Sequence, residues 1–492
     1  MSLLNQQDTP LFTGLREYIA RNPLPFHIPG HKKGKGMDPA FRDFMGQGPL
    51  SMDLINISPL DDLHHPHGLI AQAQALAAEA FQADHTYFSV QGTSGAIMTM
   101  IMAACSPKDK IIVPRNAHKS VMSAIVLADA IPVFIHPVLD RSYGISHGIT
   151  VSAVRKALEE NPDAKAVLLI NPTYYGVATN LKEMVELIHS HGKLVLVDEA
   201  HGVHIHFHEE LPLSAMQAGA DMAATSVHKL GGSLTQSSVL NVKGGRISSG
   251  RIQSILSMLT TTSTSYLLMA SLDAARRYLA TRGQTELSRV ISLARQLRRQ
   301  IKEQPGLTCM GEEILDGEAA FALDPTKITV SVKDLGITGY EAETWLRDHF
   351  NIEVELSDLY NILCILTPGD DENSTATLAR ALQKLSETYA HRQEKKAIHV
   401  ELPSIPLLAL SPREAFYAET ESIPLTEAVG RIMAEFIMVY PPGIPILLPG
   451  EIIEQHNIDY IYQNLAAGLP VQGPEDDSLN RIKVIKTHRP IY

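Results

Sequence analysis

Residues 166–202, AVLLINPTYYGVATNLKEMVELIHSHGKLVLVDEAHG, decide the fold. The apolar run AVLLINP reads as a buried strand, LKEMVELIHSHG carries apolar residues at helical spacing, and KLVLVDEA is a second apolar run that reads as a strand. Strands this continuously apolar are expected where helices cover both faces of a parallel sheet. The stretch is therefore one strand, helix, strand unit.

The same alternation extends outward. Upstream lie an Ala-rich helix LIAQAQALAAEAF from Leu69, a strand HTYFSV, a Gly-rich turn QGTSGA, a helix IMTMIMAACS, the strands KIIVP and IPVFIHP, and the helix VSAVRKALEENP. Downstream, MAATSVH reads as a short strand and Gln253 to Gln304 as helical. The strands KITVSV and NILCIL around the helix GYEAETWLRDHF then suggest a smaller α+β domain. The fold class predicted is α/β, a mostly parallel sheet with smaller α+β domains behind it. Domain boundaries are expected at 1–60 (a helix at Leu11 to Ala20 and an irregular arm), 61–300, 301–396 and 397–492, with HRQEKK, residues 391–396, as a linker.

Composition excludes several functions. The 492 residues exceed what one core organises, and 45% hydrophobic with 20% charged residues is globular composition. A formal net charge of -12 argues against a nucleic-acid backbone binder, which needs clustered Lys and Arg. Cys105, Cys309 and Cys364 are too far apart for a disulfide framework or a metal-binding pair, as expected of a reducing compartment. With neither a signal peptide nor an apolar run of membrane-spanning length, the expected location is the cytoplasm, with no membrane partner.

Ligands of an open parallel sheet gather beyond the carboxyl ends of its strands. Four clusters fall at such ends. In QGTSGA, Thr93, Ser94 and Gly95 precede a helix whose N–H groups favour an anion such as phosphate, although Thr or Ser is equally an ordinary N-cap. In NAHKS, His118 opens a helix and could stack on a ring, or be merely structural. Asp198 ends an apolar strand, so its carboxylate needs a cation, such as a protonated ring nitrogen, or donors to cap. In TSVHKLGGSLTQSS, Lys229 is either a lysine reaching solvent or a desolvated amine able to act as a nucleophile. An anion cradle, a stacking imidazole, a carboxylate for a ring nitrogen and an imine-forming lysine are together the parts pyridoxal 5'-phosphate requires.

The stretches HIPGHKKG, QGTSGA, NAHKS, NPTYYG, VDEAHG, SVHKLGGSLTQSS and YPPGIPILLPGE resemble the Orn/Lys/Arg decarboxylase family from about Phe26 to Glu451. The resemblance implies a pyridoxal phosphate enzyme of the aspartate aminotransferase fold (fold type I). It implies Lys229 as the cofactor lysine, Asp198 at the pyridine nitrogen, His118 over one ring face, Ala200 and His201 along the other, and Thr93, Ser94, Ser226 and His228 around the phosphate. Lys229 or His228 would return a proton to Cα. It further implies a homodimer or higher homo-oligomer with a shared active site, to which Thr261 or Thr262 would contribute, and an acid for the substrate's distal cation: Glu355, with Glu353 second, both on one face of a strand. The implied reaction is decarboxylation of a basic amino acid, arginine to agmatine for polyamine synthesis first, then lysine or ornithine. Leu230 departs from the family's usual threonine, and the response-regulator-like N-terminal domain of larger members is not seen.

Other classes fit less well. An aminotransferase of this fold needs a carboxylate-binding arginine for which no motif is evident. DEAH without a GxxxxGK[ST] loop is no helicase signature. His204, His206 and His208 in HIHFH would line one face of a strand, as the ligands of a metal hydrolase might, but packing or surface histidines are the more ordinary reading, and no metal is expected.

Overall fold

The computed structural model describes residues 5–390, 404–439, 444–466 and 471–486. The expected linker at 391–396 lies outside the described residues. Compactness divides the chain into two units, one of residues 1–104 and 194–287, the other of 105–193 and 288–492.

In the first unit the strand Leu194–Asp198 pairs in parallel with Met222–Thr225, with Val197 opposite Ala223. Antiparallel neighbours follow: Ser238–Val242 beside Met222–Thr225, then His85–Ser89 beside Ser238–Val242. These strands are buried almost throughout, as continuous apolar runs require. The helix Gly92–Ala104 packs against them, and Ser249–Leu259 packs against that helix in turn. The first helix is Pro10–Ala20, and the arm after it is irregular as far as Pro39. The predicted helical region is two helices, Ser249–Leu259 and Tyr266–Lys302, the second running on into the other unit's sequence at Ser288.

In the second unit Lys110–Pro114 lies between two parallel partners, with Ile112 opposite both Val133 and Val167. An antiparallel sheet follows in the order Thr308–Cys309, Lys327–Ser331, Asn361–Ile365, Leu356–Ser357. Its apolar face and the helices Gly339–Phe350 and Glu372–Tyr389 form one core with Val290, Leu297, Ile328, Leu346, Ile362 and Leu382. A further core gathers Leu425, Met433, Ile446, Ile458, Ile461 and Val484 near the C-terminus.

Three local expectations are corrected. QGTSGA is not a turn before the helix, because Gly92, at φ +69, already begins it. HIHFH lies in a 3-10 helix, Val203–Phe207, except for His208 at its end, so its histidines do not alternate along a strand. Bonding to Glu199 and Phe81 packing draw His206 inward instead. Only Leu356–Ser357 of NIEVELSD is strand, so Glu353 and Glu355 do not share a strand face. Among the described residues, no helix is long and apolar enough to cross a membrane.

Candidate active site

The first unit assembles most of the candidate residues at the ends of its strands. Asp198 closes Leu194–Asp198 and is buried, and its Oδ1 accepts the Ala200 N–H at 3.1 Å. Next to it Glu199 is fully buried. Its carboxylate accepts from Ala215 N (2.7 Å) and Thr225 Oγ1 (3.0 Å) and lies 2.7 Å from His206 Nε2, while its own N–H binds Ala224 O at 3.0 Å. The acid so surrounded joins the end of Asp198's strand to the end of the neighbouring strand, which leads through Ser226 into the one-turn helix Val227–Leu230 carrying Lys229.

At the start of the helix Gly92–Ala104, the Thr93 hydroxyl bonds that of Ser226 and, at 2.7 Å, that of Ser238. All three are buried. Two segments 133 residues apart in sequence thus meet in one hydroxyl cluster at a helix N-terminus, where anions are favoured. Gly95 has no room for a side chain, because an added Cβ would approach Gln91 Cβ to 2.9 Å. Ser94 is half-buried on the same turn.

Lys229 is exposed, and its Nζ lies 2.8 Å from His201 Nε2. His228 Nδ1 lies 2.8 Å from Ser237 O, an acceptor, so Nδ1 carries a proton. Thr261 and Thr262 are exposed, with the Thr261 carbonyl 2.9 Å from His64 Nε2.

The second unit holds the remaining candidates. His118 is exposed and N-caps Lys119–Ala128, its Nδ1 accepting from Ser120 N at 3.2 Å. Three residues earlier, buried Arg115 forms a two-pronged bond to buried Glu451, with Nη2 at 2.8 Å from Oε2, and also binds the carbonyls of Pro445 (3.0 Å) and Ile446 (3.2 Å). Glu355 is exposed and accepts from the Tyr174 hydroxyl, whereas Glu353 is taken up by Arg347, at 2.8 Å from both Nε and Nη2.

Sequence reasoning missed Ser238, Glu199, Tyr174 and the Arg115–Glu451 pair. Ser238 stood in the quoted lysine stretch, but its meeting with Thr93 depends on strand pairing, which no local pattern reports. Tyr174 and Glu451 stood in motifs that were recognised without a role for either side chain. Among the described residues, no group of three or more His, Cys, Asp or Glu is placed to hold a metal ion.

These residues fit pyridoxal phosphate: a buried carboxylate at a strand end, a cluster of hydroxyls at a helix N-terminus and an accessible lysine amine. The fold agrees. The solved lysine decarboxylase of Francisella novicida matches with a TM-score of 0.85 over 97% of this chain and 81% of that one, at 24% identity. The fold is thus that of this decarboxylase, fold type I. Residues 9–374 match the model of the Orn/Lys/Arg decarboxylase major domain, and residues 394–470 that of its C-terminal domain. Proteins named arginine decarboxylase from Bacillus anthracis and Bacillus subtilis are each 64% identical over 492 residues, covering 99% or more of this chain and all of their own. The chain belongs to the Orn/Lys/Arg decarboxylase family and is a decarboxylase dependent on pyridoxal phosphate.

Proposed function

We propose that this enzyme converts L-arginine to agmatine and carbon dioxide. The observation that carries the reading is end-to-end similarity: relatives named for arginine match at 64% identity along the entire chain. The lysine decarboxylase structure matches at only 24%. Parallel assays of carbon dioxide release from arginine, lysine and ornithine test it. Turnover of lysine or ornithine in preference to arginine would overturn it.

In this reading Lys229 holds the cofactor and Asp198 keeps a negative charge at its ring nitrogen. Thr93, Ser94, Gly95, Ser226 and His228 receive the phosphate, and His118, Ala200 and His201 flank the ring. Bound pyridoxal phosphate supplies an aldehyde for amine exchange and an electron sink for the pair left at Cα when carbon dioxide departs. The chain's contribution is orientation and fixed charge, since a carboxylate already in place at Asp198 needs no reorganisation during the reaction. Lys229 or His228 delivers the proton that replaces the carboxylate. Glu355 receives the distal guanidinium. Its carboxylate is exposed and, among the described residues, accepts one bond, from a phenol, whereas that of Glu353 is already neutralised by Arg347.

The reading extends to a cytoplasmic homodimer or higher homo-oligomer in which Thr261 or Thr262 serves a neighbouring site. Support comes from their exposure and from three buried cysteines outside any disulfide, which suit a reducing compartment. The proposed functional division remains 1–60, 61–300, 301–396 and 397–492.

A further inference from the structure

We propose that Tyr174 is a specificity-determining residue: its phenol orients the Glu355 carboxylate so that the site favours a planar guanidinium over an ammonium group. The inference rests on reading Glu355 as the acceptor of the substrate's distal cation.

Two adjacent tyrosines in NPTYYG reach the segment 355–358 through their hydroxyls, and the two bonds differ in kind. Tyr175 donates to Asp358 Oδ2 at 2.6 Å. Asp358 is only 2% exposed, its Oδ1 also accepts the N–H groups of Tyr360 and Asn361 at 2.8 Å each, and its Oδ2 accepts from Asn361 Nδ2 at 3.0 Å. Its lone pairs are therefore used, and the bond is an anchor. Tyr174 donates to Oε1 of an exposed carboxylate whose backbone N–H is already fixed to Leu363 O at 2.9 Å. With the backbone held by the sheet and one oxygen held by the phenol, rotation of the Glu355 carboxylate is restricted.

Such a carboxylate keeps capacity for a ligand, because each oxygen has two lone pairs and the phenol takes one. A guanidinium donates two parallel N–H bonds from a rigid fork and gains when the carboxylate plane is set in advance, whereas an ammonium is a point charge with rotatable donors. The neighbouring pair displays the required geometry, with Arg347 Nε 2.8 Å from Glu353 Oε1 and Nη2 2.8 Å from Oε2. Orientation therefore favours arginine more than lysine.

The test is steady-state kinetics of the holoenzyme on L-arginine and L-lysine for wild type, Tyr174→Phe, Glu355→Gln and Tyr175→Phe. Where lysine turnover is below detection, competitive inhibition constants of agmatine and cadaverine replace the two KM values. Tyr174→Phe is expected to raise KM for arginine about tenfold, with kcat within about twofold and the lysine value unchanged, the scale of one hydrogen bond to a charged group. Tyr175→Phe is expected to lower thermal stability while leaving the arginine-to-lysine ratio as it was. An equal rise for both substrates after Tyr174→Phe, or a fall in KM for arginine because the phenol competes with substrate, overturns the inference. If Glu355→Gln raises both KM values but Tyr174→Phe alters neither, the inference alone fails. If Glu355→Gln alters neither, the reading of Glu355 fails, and the inference with it.

Discussion

The Nζ of Lys229 lies 2.8 Å from Nε2 of His201, three residues beyond Asp198, so the candidate cofactor amine is held by the same loop that follows the candidate ring-nitrogen acid. Lys229→Ala is expected to abolish turnover and the visible absorbance of bound cofactor, with the protein still folded by circular dichroism. Retention of both colour and activity would remove Lys229 from the site.

Asp198→Asn keeps the shape and removes the charge. Cofactor binding should stay near normal while kcat falls by roughly two orders of magnitude, the scale of losing a fixed electrostatic group. The check is kcat beside a cofactor titration of the apoenzyme; an unchanged kcat would contradict the role.

The Arg115–Glu451 pair is buried at both ends, and the lone pairs of the acid are further used by Leu448 N–H at 2.8 Å. Burial pushes the Glu451 carboxyl up, and the Arg115 bond opposes this. Removing one partner strands the other charge, so Glu451→Ala should cost about 3–5 kcal/mol in denaturant unfolding. A cost near that of a surface ion pair would refute the argument.

Asp61 tests the pH dependence of stability. Burial raises its pKa, but N–H bonds from His67, Asp62, Gly68 and Ile70 outweigh it, and the net shift is downward. A folded value below the unfolded one gives stability that is present above about pH 3.9 and lost as pH falls through the folded value. Asp61→Asn should therefore lower stability at neutral pH and flatten the acid limb below about pH 4. An acid limb as steep as the wild type's would exclude this contribution.

All three cysteines are buried and none is in a disulfide. Burial pushes the Cys309 thiol up to about 11 and the Cys364 thiol up to about 12. Since the thiolate is the reactive form, native enzyme at neutral pH should show almost no reaction with a disulfide reagent until denatured. Rapid labelling of the native protein would contradict their burial.

What the sequence determined by itself was the succession of elements and the identity of the chemical parts. Apolar runs such as LVLVD and helical spacing as in LKEMVELIHS are local consequences of side-chain period, and the strand Leu194–Asp198 and helix Leu181–Ser190 formed where that period predicted them. Periodicity was misleading where local bonding competed with it: the histidines of HIHFH alternate in sequence, yet Val203–Phe207 coils into a 3-10 helix. Only the tertiary structure decided which side chains meet. Thr93 reaches Ser238 because two antiparallel strands set a register, Glu451 reaches Arg115 across more than three hundred residues of chain, and Tyr174 reaches Glu355 across 181. Hydrogen bonds of this kind depend on positions fixed by burial of the whole core, and no window of sequence contains that information.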